Sequence, residues 1–269
     1  MSLPPFEPHT FKHTAPPNPN WTYCQRSDAT EEGKAWAEAE KSGWKTIDVN
    51  APEEKAGLYP LMISGIVPRP IAFVSSVSET GIENLSPFSW FNQVCANPPM
   101  IAFSAANPPT GPKDTPTNIK ATKGFTVNII SEVFSEAANA VSIDAPSNVS
   151  EWDFSGLTKE PSIHVKAPRV KESAFSMECE LYEAIELKNP ATGQVSNTLI
   201  IGLVKFIHVR KDVLTPKGTV DLAKLKPLAR MGDITYARVG DGFRLDRPLW
   251  SELGDQVQEA LATQKNAAL

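Results

Sequence analysis

The segment 113–120, Lys-Asp-Thr-Pro-Thr-Asn-Ile-Lys, concentrates side chains that could hold a phosphate group. Thr115 followed by Pro116 is a typical N-cap and first-position pair for a short helix, which would end near Gly124. The start of such a helix presents free backbone N–H groups, and Lys113 and Asn118 add a positive charge and an amide. This donor set suits a phosphate monoester.

Asp114 lies in the middle of the same segment and opposes an anion, unless its carboxylate turns away or pairs with Lys113. A capped surface helix without a ligand is the alternative interpretation. The segment alone does not decide between the two.

A second group of donors lies at Ser75 and Ser76, at the end of an apolar run that begins at Pro70 and is preceded by Arg69. Side chains alternate between the two faces of a strand, so we expect at most one of these hydroxyls to face a given ligand. The alternative is that both hydroxyls begin a turn.

The segment 84–92, Asn-Leu-Ser-Pro-Phe-Ser-Trp-Phe-Asn, interleaves aromatic with small polar residues. A flat heteroaromatic ligand needs an apolar wall for its face, with amides and hydroxyls at its rim. Trp90 and Phe91 could instead belong to the core. Because the two donor groups lie on neighbouring predicted strands and loops, the three segments together favour a ligand site.

Composition excludes several classes of protein. The 269 residues are 41% hydrophobic and 21% charged, which is typical of a globular chain. Lys and Arg number 26 against 31 Asp and Glu, a net charge of −5 that disfavours nucleic acid as a general partner. The chain shows neither a membrane-length apolar run nor a secretory signal, so we expect a soluble, cytoplasmic protein. Its three cysteines and four histidines lack metal-ligand spacing, so no metal or disulfide is predicted.

Short runs of β-branched and aromatic residues, separated by proline, glycine and asparagine, predict strands from residue 61 onward. The turns 78–81 and 189–193 predict hairpins, and the two longest runs should curl around a core as members of a barrel. The predicted strands are Pro70–Val77, Leu85–Phe88, Met100–Ala105, Phe125–Ile130, Ser176–Leu187 and Thr198–Arg210.

Residues 1–50 read as a proline-rich extension with a short helix, which Asp28 or Thr30 would cap and Gly43 would end. Residues 51–250 would form the main domain, and residues 251–269 a C-terminal helix. Further helical periodicity occurs at Thr117–Thr122, Val133–Ser142, Asp221–Lys226 and Trp250–Gln264.

An ordered series of motifs runs through the main domain: Val67–Ser75, Asn84–Asn92, Asn97–Pro99, Lys113–Thr115 with Asn118, Phe125–Asn128, Glu151–Phe154 and Pro227–Arg230. In order and spacing they resemble the flavin reductase-like family of FMN-binding split-barrel proteins, particularly its flavoredoxin-like branch. The resemblance covers roughly residues 58 to 250.

The resemblance implies a mainly β fold with flanking helices, a six-stranded antiparallel split barrel with Greek-key-like connections, and a homodimer that binds one FMN per subunit. It implies that the strand at Arg69 and the segment 84–92 frame the flavin ring and that the segment 113–118 meets the phosphate. Arg230 would reach the phosphate or a substrate, or form a structural salt bridge, and 151–153 would form a lid. The implied cofactor-binding residues are Arg69, Pro70, Ile71, Ser75, Ser76, Asn84, Leu85, Ser86, Pro87, Ser89, Phe91, Asn92, Lys113, Asp114, Thr115, Asn118 and Arg230.

The implied activity is an NAD(P)H-dependent flavin reductase that passes electrons through FMN to free flavin or to a partner protein. No catalytic side chain is required, because the flavin carries the chemistry. The alternative from another class is a non-enzymatic FMN carrier that another protein reduces. An oxidase acting on a small substrate is a third possibility within the same fold.

Overall fold

The computed structural model describes residues 3–108 and 111–267, which divide into two compact units. One unit contains the residues up to Leu58 and those from Gly240 onward, and the other contains Tyr59–Val239. The strands are β1 His13–Thr14, β2 Arg69–Pro70, β3 Ala72–Val77, β4 Glu83–Phe88, β5 Phe91–Ala96, β6 Pro99–Ala106, β7 Gly124–Asn128, β8 Lys159–Glu160, β9 Arg169–Val170, β10 Phe175–Lys188, β11 Val195–Val209, β12 Leu228–Arg230, β13 Tyr236–Arg238 and β14 Gly242–Phe243. The α-helices are α1 Glu31–Ala39, α2 Lys55–Gly65, α3 Asp114–Thr122, α4 Ser135–Ala140, α5 Trp152–Ser155, α6 Leu222–Leu225 and α7 Trp250–Ala267. Short 3-10 helices cover Ser27–Ala29, Glu40–Ser42, Glu132–Phe134 and Lys211–Val213.

The larger unit is built on a seven-stranded antiparallel sheet in the order β4-β3-β7-β10-β11-β6-β5. β4 and β5 occupy the two edges, yet only Ser89 and Trp90 separate them along the chain. A link this short forces the sheet to curl until its edges approach each other. No ladder joins β4 to β5, so the sheet is a barrel left open along one side. The mainly β fold and both predicted hairpins are confirmed.

The predicted strand count was wrong, because β5 adds a seventh strand that the sequence analysis did not assign. All of β5 is exposed or half-buried, so its sequence lacks the apolar alternation of a strand with one buried face. Helix α2 was also missed. It contains Pro60, a residue that disfavours the interior of a helix, and only Ile63 among its residues is buried. Its sequence therefore lacks the apolar periodicity that would have indicated a helix.

Two clusters of apolar residues fill the two faces of the sheet. The first includes Val74, Phe103 and Phe125 and packs against Ile119 of α3. The second includes Phe73, Leu85 and Trp152. The alternation of side chains along β3 and β4 divides the residues between the two clusters, and it also decides which polar residues lie beside α3.

Gly202 lies where the core allows no side chain. A Cβ atom at this position of β11 would come within 2.5 Å of the Phe125 ring, closer than packed carbon atoms approach. The ring therefore fills the space that a larger residue would need.

Helix α3 begins two residues earlier than the cap pattern predicted. Its N-cap is Lys113, which provides no side-chain cap, and Thr115 lies inside the first turn. The Thr115 hydroxyl instead donates a hydrogen bond of 2.6 Å to Asn84 Oδ1, within a buried network. Pro116 stays within the first turn, where its missing N–H removes no intrahelical hydrogen bond. The predicted N-cap was therefore wrong, because the Thr115 hydroxyl bonds to a residue of a distant strand rather than to the backbone of its own helix.

In the smaller unit, β1 pairs in parallel with β14, and the Phe11 ring lies so close to Gly242 that a Cβ there would approach it to 2.7 Å. Helix α1 starts as predicted, with the Thr30 hydroxyl accepting the Gly33 N–H at 3.0 Å. Gly43 follows the next 3-10 turn with a φ of 79°, a left-handed conformation that glycine adopts without strain. None of the described helices has an apolar stretch long enough to cross a bilayer.

Glu178 of β10 is a fully buried carboxylate that fixes the loop 163–165 to the sheet. It accepts backbone N–H groups from Ile163 at 2.8 Å, His164 at 2.6 Å and Val165 at 3.1 Å, and the His208 Nε2 atom lies 2.6 Å away. Burial alone would raise the pKa of this carboxyl, but these hydrogen bonds together hold its pKa below the ordinary value.

We predict that Glu178→Gln lowers the free energy of unfolding by about 2–4 kcal/mol at pH 7, because an amide turns an N–H group toward donors. A lowered pKa in the folded state means that the carboxylate stabilises the fold above its unfolded pKa of about 4.3. This contribution is lost as the pH falls through the folded pKa. Urea denaturation at several pH values would measure both effects.

The control is Glu183→Gln, which changes an exposed residue of the same strand and should alter stability by less than about 0.5 kcal/mol. Equal effects of the two substitutions would contradict the role assigned to Glu178.

Candidate functional site

A cavity of about 390 Å³ opens beside the start of helix α3. Its size lies within the range of small-molecule sites. The residues lining it come from β4, the segment before α3, the first turn of α3 and the loop before α5: Asn84, Ser86, Pro108, Gly111, Pro112, Lys113, Asp114, Thr115, Ile143, Asp144, Ala145, Pro146, Ser147 and Glu151. Five of the predicted cofactor-binding residues thus share one cavity: Asn84, Ser86, Lys113, Asp114 and Thr115.

A buried hydrogen-bond network centred on Asn84 forms one wall of this cavity. Asn84 Oδ1 accepts the Thr115 hydroxyl at 2.6 Å and lies 3.4 Å from Ser76 Oγ. Asn118 Nδ2 donates to Ser76 Oγ at 3.2 Å. Asn84 Nδ2 donates to Glu151 Oε2 at 2.9 Å. The network joins four of the predicted cofactor-binding residues, Ser76, Asn84, Thr115 and Asn118, to one another and to Glu151.

Sheet geometry explains which residues join the network. Ser76 pairs with Asn84 across β3 and β4, so both side chains lie on the sheet face that α3 covers. Ser75 lies on the other face, and its Oγ is buried without a hydrogen-bond partner among the described residues. Only one of the two serines therefore lies near the cavity, as strand alternation predicts.

Three carboxylates and one lysine make the cavity electrostatically unusual, with Asp114, Asp144 and Glu151 facing the same space as Lys113. Burial raises the pKa of Glu151, which the N–H of Leu85 and the amide of Asn84 lower in part and Asp114 raises further. Burial also raises the pKa of Asp114, against the influence of Lys113 and with that of Asp144. Both carboxyls are therefore easier to protonate than ordinary acidic side chains.

The backbone at the start of α3 adds donors to the cavity wall. The first helical hydrogen bond is donated by Thr117 N to Lys113 O at 3.4 Å. The N–H groups of Asp114 and Thr115 therefore have no carbonyl acceptor within the helix. With the Lys113 ammonium, these groups could meet an anion.

Arg69 lies apart from the cavity lining and serves the fold. It is 6% exposed, and its guanidinium donates to three main-chain carbonyls, those of Ile63, Ile66 at 2.8 Å and Met231 at 2.8 Å. Its Nε lies 3.4 Å from the Ser89 hydroxyl. Arg69 and Ser89 thus tie the end of α2 to the chain around Met231.

Arg230 also lies apart from the cavity. Its guanidinium stacks on the Tyr236 ring at 4.5 Å from the ring centre and donates to the Asp233 carbonyl at 3.1 Å. Arg230 pairs with Arg69 across β12 and β2.

The remaining predicted residues occupy several environments. Ile71 and Leu85 belong to the second apolar cluster, and the Leu85 N–H donates to Glu151 Oε2 at 3.1 Å. Phe91 packs against the first cluster, and Asn92 is exposed on β5. Pro70 and Pro87, exposed and half-buried respectively, belong to strands β2 and β4.

The segment 151–153, which the resemblance implied as a lid, contributes Glu151 to the lining of the cavity. Glu151 and Trp152 are each only 4% exposed, and Trp152 belongs to the second apolar cluster. The Glu151 carboxylate accepts the Leu85 N–H, and this hydrogen bond holds the segment against the edge strand β4. The loop 143–147 was also missed as a wall of the cavity. Nothing in its local sequence shows which cavity this loop would reach, because that depends on tertiary packing.

The described residues contain no group of three or more His, Cys, Asp or Glu side chains that could hold a metal ion. The donors around the cavity fit an anionic organic ligand better than they fit a metal.

The sequence model of a protein family, the flavin reductase like domain, matches residues 64–228 of the chain. The chain belongs to the flavin reductase-like family. Membership in this family indicates flavin-related oxidoreductase chemistry, with a flavin as cofactor or substrate. The match contains the cavity and the network around Asn84, whereas the proline-rich extension lies outside it.

Solved structures place this family member among split-barrel proteins. Nitrilotriacetate monooxygenase component B from Bacillus cereus is 36% identical, with 76% of this chain and 99% of that chain covered and a TM-score of 0.71. Flavoredoxin of Desulfovibrio vulgaris is 25% identical, with 69% and 93% covered and a TM-score of 0.58. A protein with a split barrel domain from Shewanella frigidimarina, 24% identical, shares the fold over 77% of this chain and 100% of its own, with a TM-score of 0.66.

We predict that Arg69→Ala lowers the free energy of unfolding by about 3 kcal/mol or more, because it leaves three carbonyls without their donor. Arg230→Ala is the matched control on the neighbouring strand and should cost about 1 kcal/mol. Urea denaturation would measure both. If the alanine variant does not fold, Arg69→Lys, whose ammonium lacks the guanidinium fork, should show an intermediate loss. Similar losses for Arg69→Ala and Arg230→Ala would contradict this assignment.

Proposed function

We propose that this protein is an FMN-binding oxidoreductase that takes hydride from NADH or NADPH and passes electrons to free flavin or to a partner protein. The observation that carries the proposal is the cavity at the start of α3, where a lysine, free N–H groups and hydroxyls meet inside the family's domain. When bound, FMN supplies the redox chemistry of such a protein, namely acceptance of a hydride and release of electrons.

The hydrogen-bond donors that line the cavity fit the phosphate group of FMN. Lys113 can neutralise part of the phosphate charge, and the N–H groups of Asp114 and Thr115 and the Ser86 hydroxyl can donate to its oxygens. The hydrogen bonds of Asn84 fix Thr115 and β4, so this wall is ordered before a ligand arrives. The carboxylates of Asp114, Asp144 and Glu151 in the same cavity oppose a phosphate.

We further propose a homodimer. Tyr59 and Trp90 are exposed, with their ring centres 6.5 Å apart, and Val94 is exposed on the edge strand β5. Apolar side chains exposed beside an unpaired strand edge favour burial against another chain. Light scattering of the purified full chain should give twice the mass of one chain, and a monomer at micromolar concentration would contradict the proposal.

The flavin reductase and the FMN carrier predict different results with one reagent. Purified protein should be yellow, should release FMN on heating, and should lose its flavin absorbance within seconds to minutes when NADH or NADPH is added without air. The similarity to a flavoredoxin keeps the carrier as the second candidate. Released FMN that neither nicotinamide reduces would favour the carrier, and a protein that does not bind added FMN would contradict both.

Lys113→Ala tests whether the phosphate lies in the cavity. A lost charge-assisted contact is worth about 1.5–3 kcal/mol, so FMN affinity should fall by about tenfold to 150-fold. Riboflavin, which lacks the phosphate, should bind the variant and the natural protein alike in a fluorescence titration.

Lys217→Ala, which removes an exposed lysine that does not line the cavity, is the control and should leave both affinities unchanged. Equal losses of FMN and riboflavin binding in the Lys113 variant would show that the phosphate does not lie beside Lys113.

A further inference from the structure

Glu151 is a buried acid in the cavity wall whose hydrogen-bond donors are neutral. It is 4% exposed, and both of its side-chain hydrogen bonds, from the Asn84 amide and the Leu85 N–H, end on Oε2. No ion pair of Glu151 with a lysine, arginine or histidine occurs in the part of the chain that the structure describes. An ionised carboxylate in this position lacks the counter-ion that buried charges normally have.

The charges that face Glu151 across the cavity are mostly of its own sign. Asp114 of α3 and Asp144 of the loop before α5 line the cavity with it, and Lys113 is the one basic residue of the lining. A phosphate beside Lys113 would add nearly two further negative charges at neutral pH. Lys113 cannot balance all of them.

The other charged groups near Glu151 do not neutralise its negative charge. Glu83 of β4 is paired with Lys159, whose ammonium also lies 5.8 Å from the centre of the Trp152 ring. Asp153, two residues along α5, is exposed and adds another negative charge. The described residues of β4 and α5 include no basic side chain that could neutralise Glu151.

Protonating one carboxyl is the simplest way to admit a phosphate, and Glu151 is the carboxyl best suited to it. Asp144 is exposed, so water screens its charge, and Asp114 is adjacent to Lys113. Glu151 is the most buried of the three, and burial already raises its pKa. Because Oε2 accepts the existing hydrogen bonds, Oε1 can carry the proton without breaking the network.

We propose that Glu151 determines how this cavity distinguishes phosphorylated from unphosphorylated flavin: its carboxyl is neutral when the phosphate is bound, so FMN binding takes up one proton and riboflavin binding takes up none. This inference rests on the proposed function. Above about pH 7, where the phosphate of free FMN has lost its second proton, FMN affinity is then constant up to the pKa of Glu151 in the free protein and falls by about tenfold per pH unit from there to its pKa in the complex. Riboflavin affinity does not change over the same range.

The experiment is a calorimetric titration of the flavin-free full chain with FMN and with riboflavin, between pH 6 and pH 9, in buffers of different ionisation enthalpy. The natural protein should take up close to one proton with FMN at its maximum and none with riboflavin. In Glu151→Gln the uptake should disappear, and FMN affinity at pH 8.5 should be at least tenfold higher than in the natural protein. The glutamine carbonyl can accept both hydrogen bonds, so this variant keeps the network.

Two further variants show where the proton goes. Asp153→Asn removes a nearby exposed carboxylate and should leave the uptake intact. Uptake that persists in Glu151→Gln and disappears in Asp114→Asn would overturn the assignment to Glu151. FMN binding without proton uptake at any pH in the range would overturn the inference and leave the proposed function standing. Absence of binding by either flavin would overturn the proposed function, and this inference with it.

Discussion

The side-chain amide of Asn84 joins strand β3, helix α3 and the residue before α5 at one wall of the cavity. Its oxygen accepts the Thr115 hydroxyl from α3 and lies beside Ser76 of β3, and its nitrogen donates to Glu151, which precedes α5. A buried amide that lost one of these partners would leave a polar group unsatisfied, at a cost of about 1–3 kcal/mol. Helix, strands and loop therefore keep their positions together, and the cavity wall has its form independently of a ligand.

The two buried glutamates show how donor number decides the state of an acid. Glu178 and Glu151 are similarly enclosed, yet the pKa of Glu178 is lowered and that of Glu151 is raised. Glu178 has three backbone N–H groups and an imidazole around its two oxygens, whereas Glu151 has two neutral donors on one oxygen and faces other carboxylates. Burial penalises both charges, but only Glu178 has enough donors to outweigh it. The first acid stabilises a loop, and the second is available for protonation.

The two arginines predicted to bind the cofactor both have partners within the protein. Arg69 and Arg230 pair across β2 and β12. The resemblance implied that Arg69 frames the flavin ring and that Arg230 reaches the phosphate or a substrate, or forms a structural salt bridge. In the structure Arg69 binds main-chain carbonyls at the end of α2, and Arg230 stacks on Tyr236. A guanidinium has five donors in a planar fork, so it can bind several main-chain carbonyls as well as it can bind an anion. Residue type and position cannot distinguish these uses, because the acceptors come from segments distant in the chain.

Local sequence patterns were enough to predict the mainly β fold, the two hairpins, the capped helix at Thr30 and the grouping of Asn84, Ser86 and the segment 113–118, because turns, strand alternation and helix caps are local properties. They could not supply β5 or α2, since an exposed edge strand and a helix containing Pro60 lack the usual periodicity. Tertiary structure alone decided that Thr115 bonds to Asn84 rather than capping its helix, and that Glu151 lies in the cavity wall. Those choices depend on which distant groups meet in a low-dielectric interior, where an unpaired donor or charge costs most.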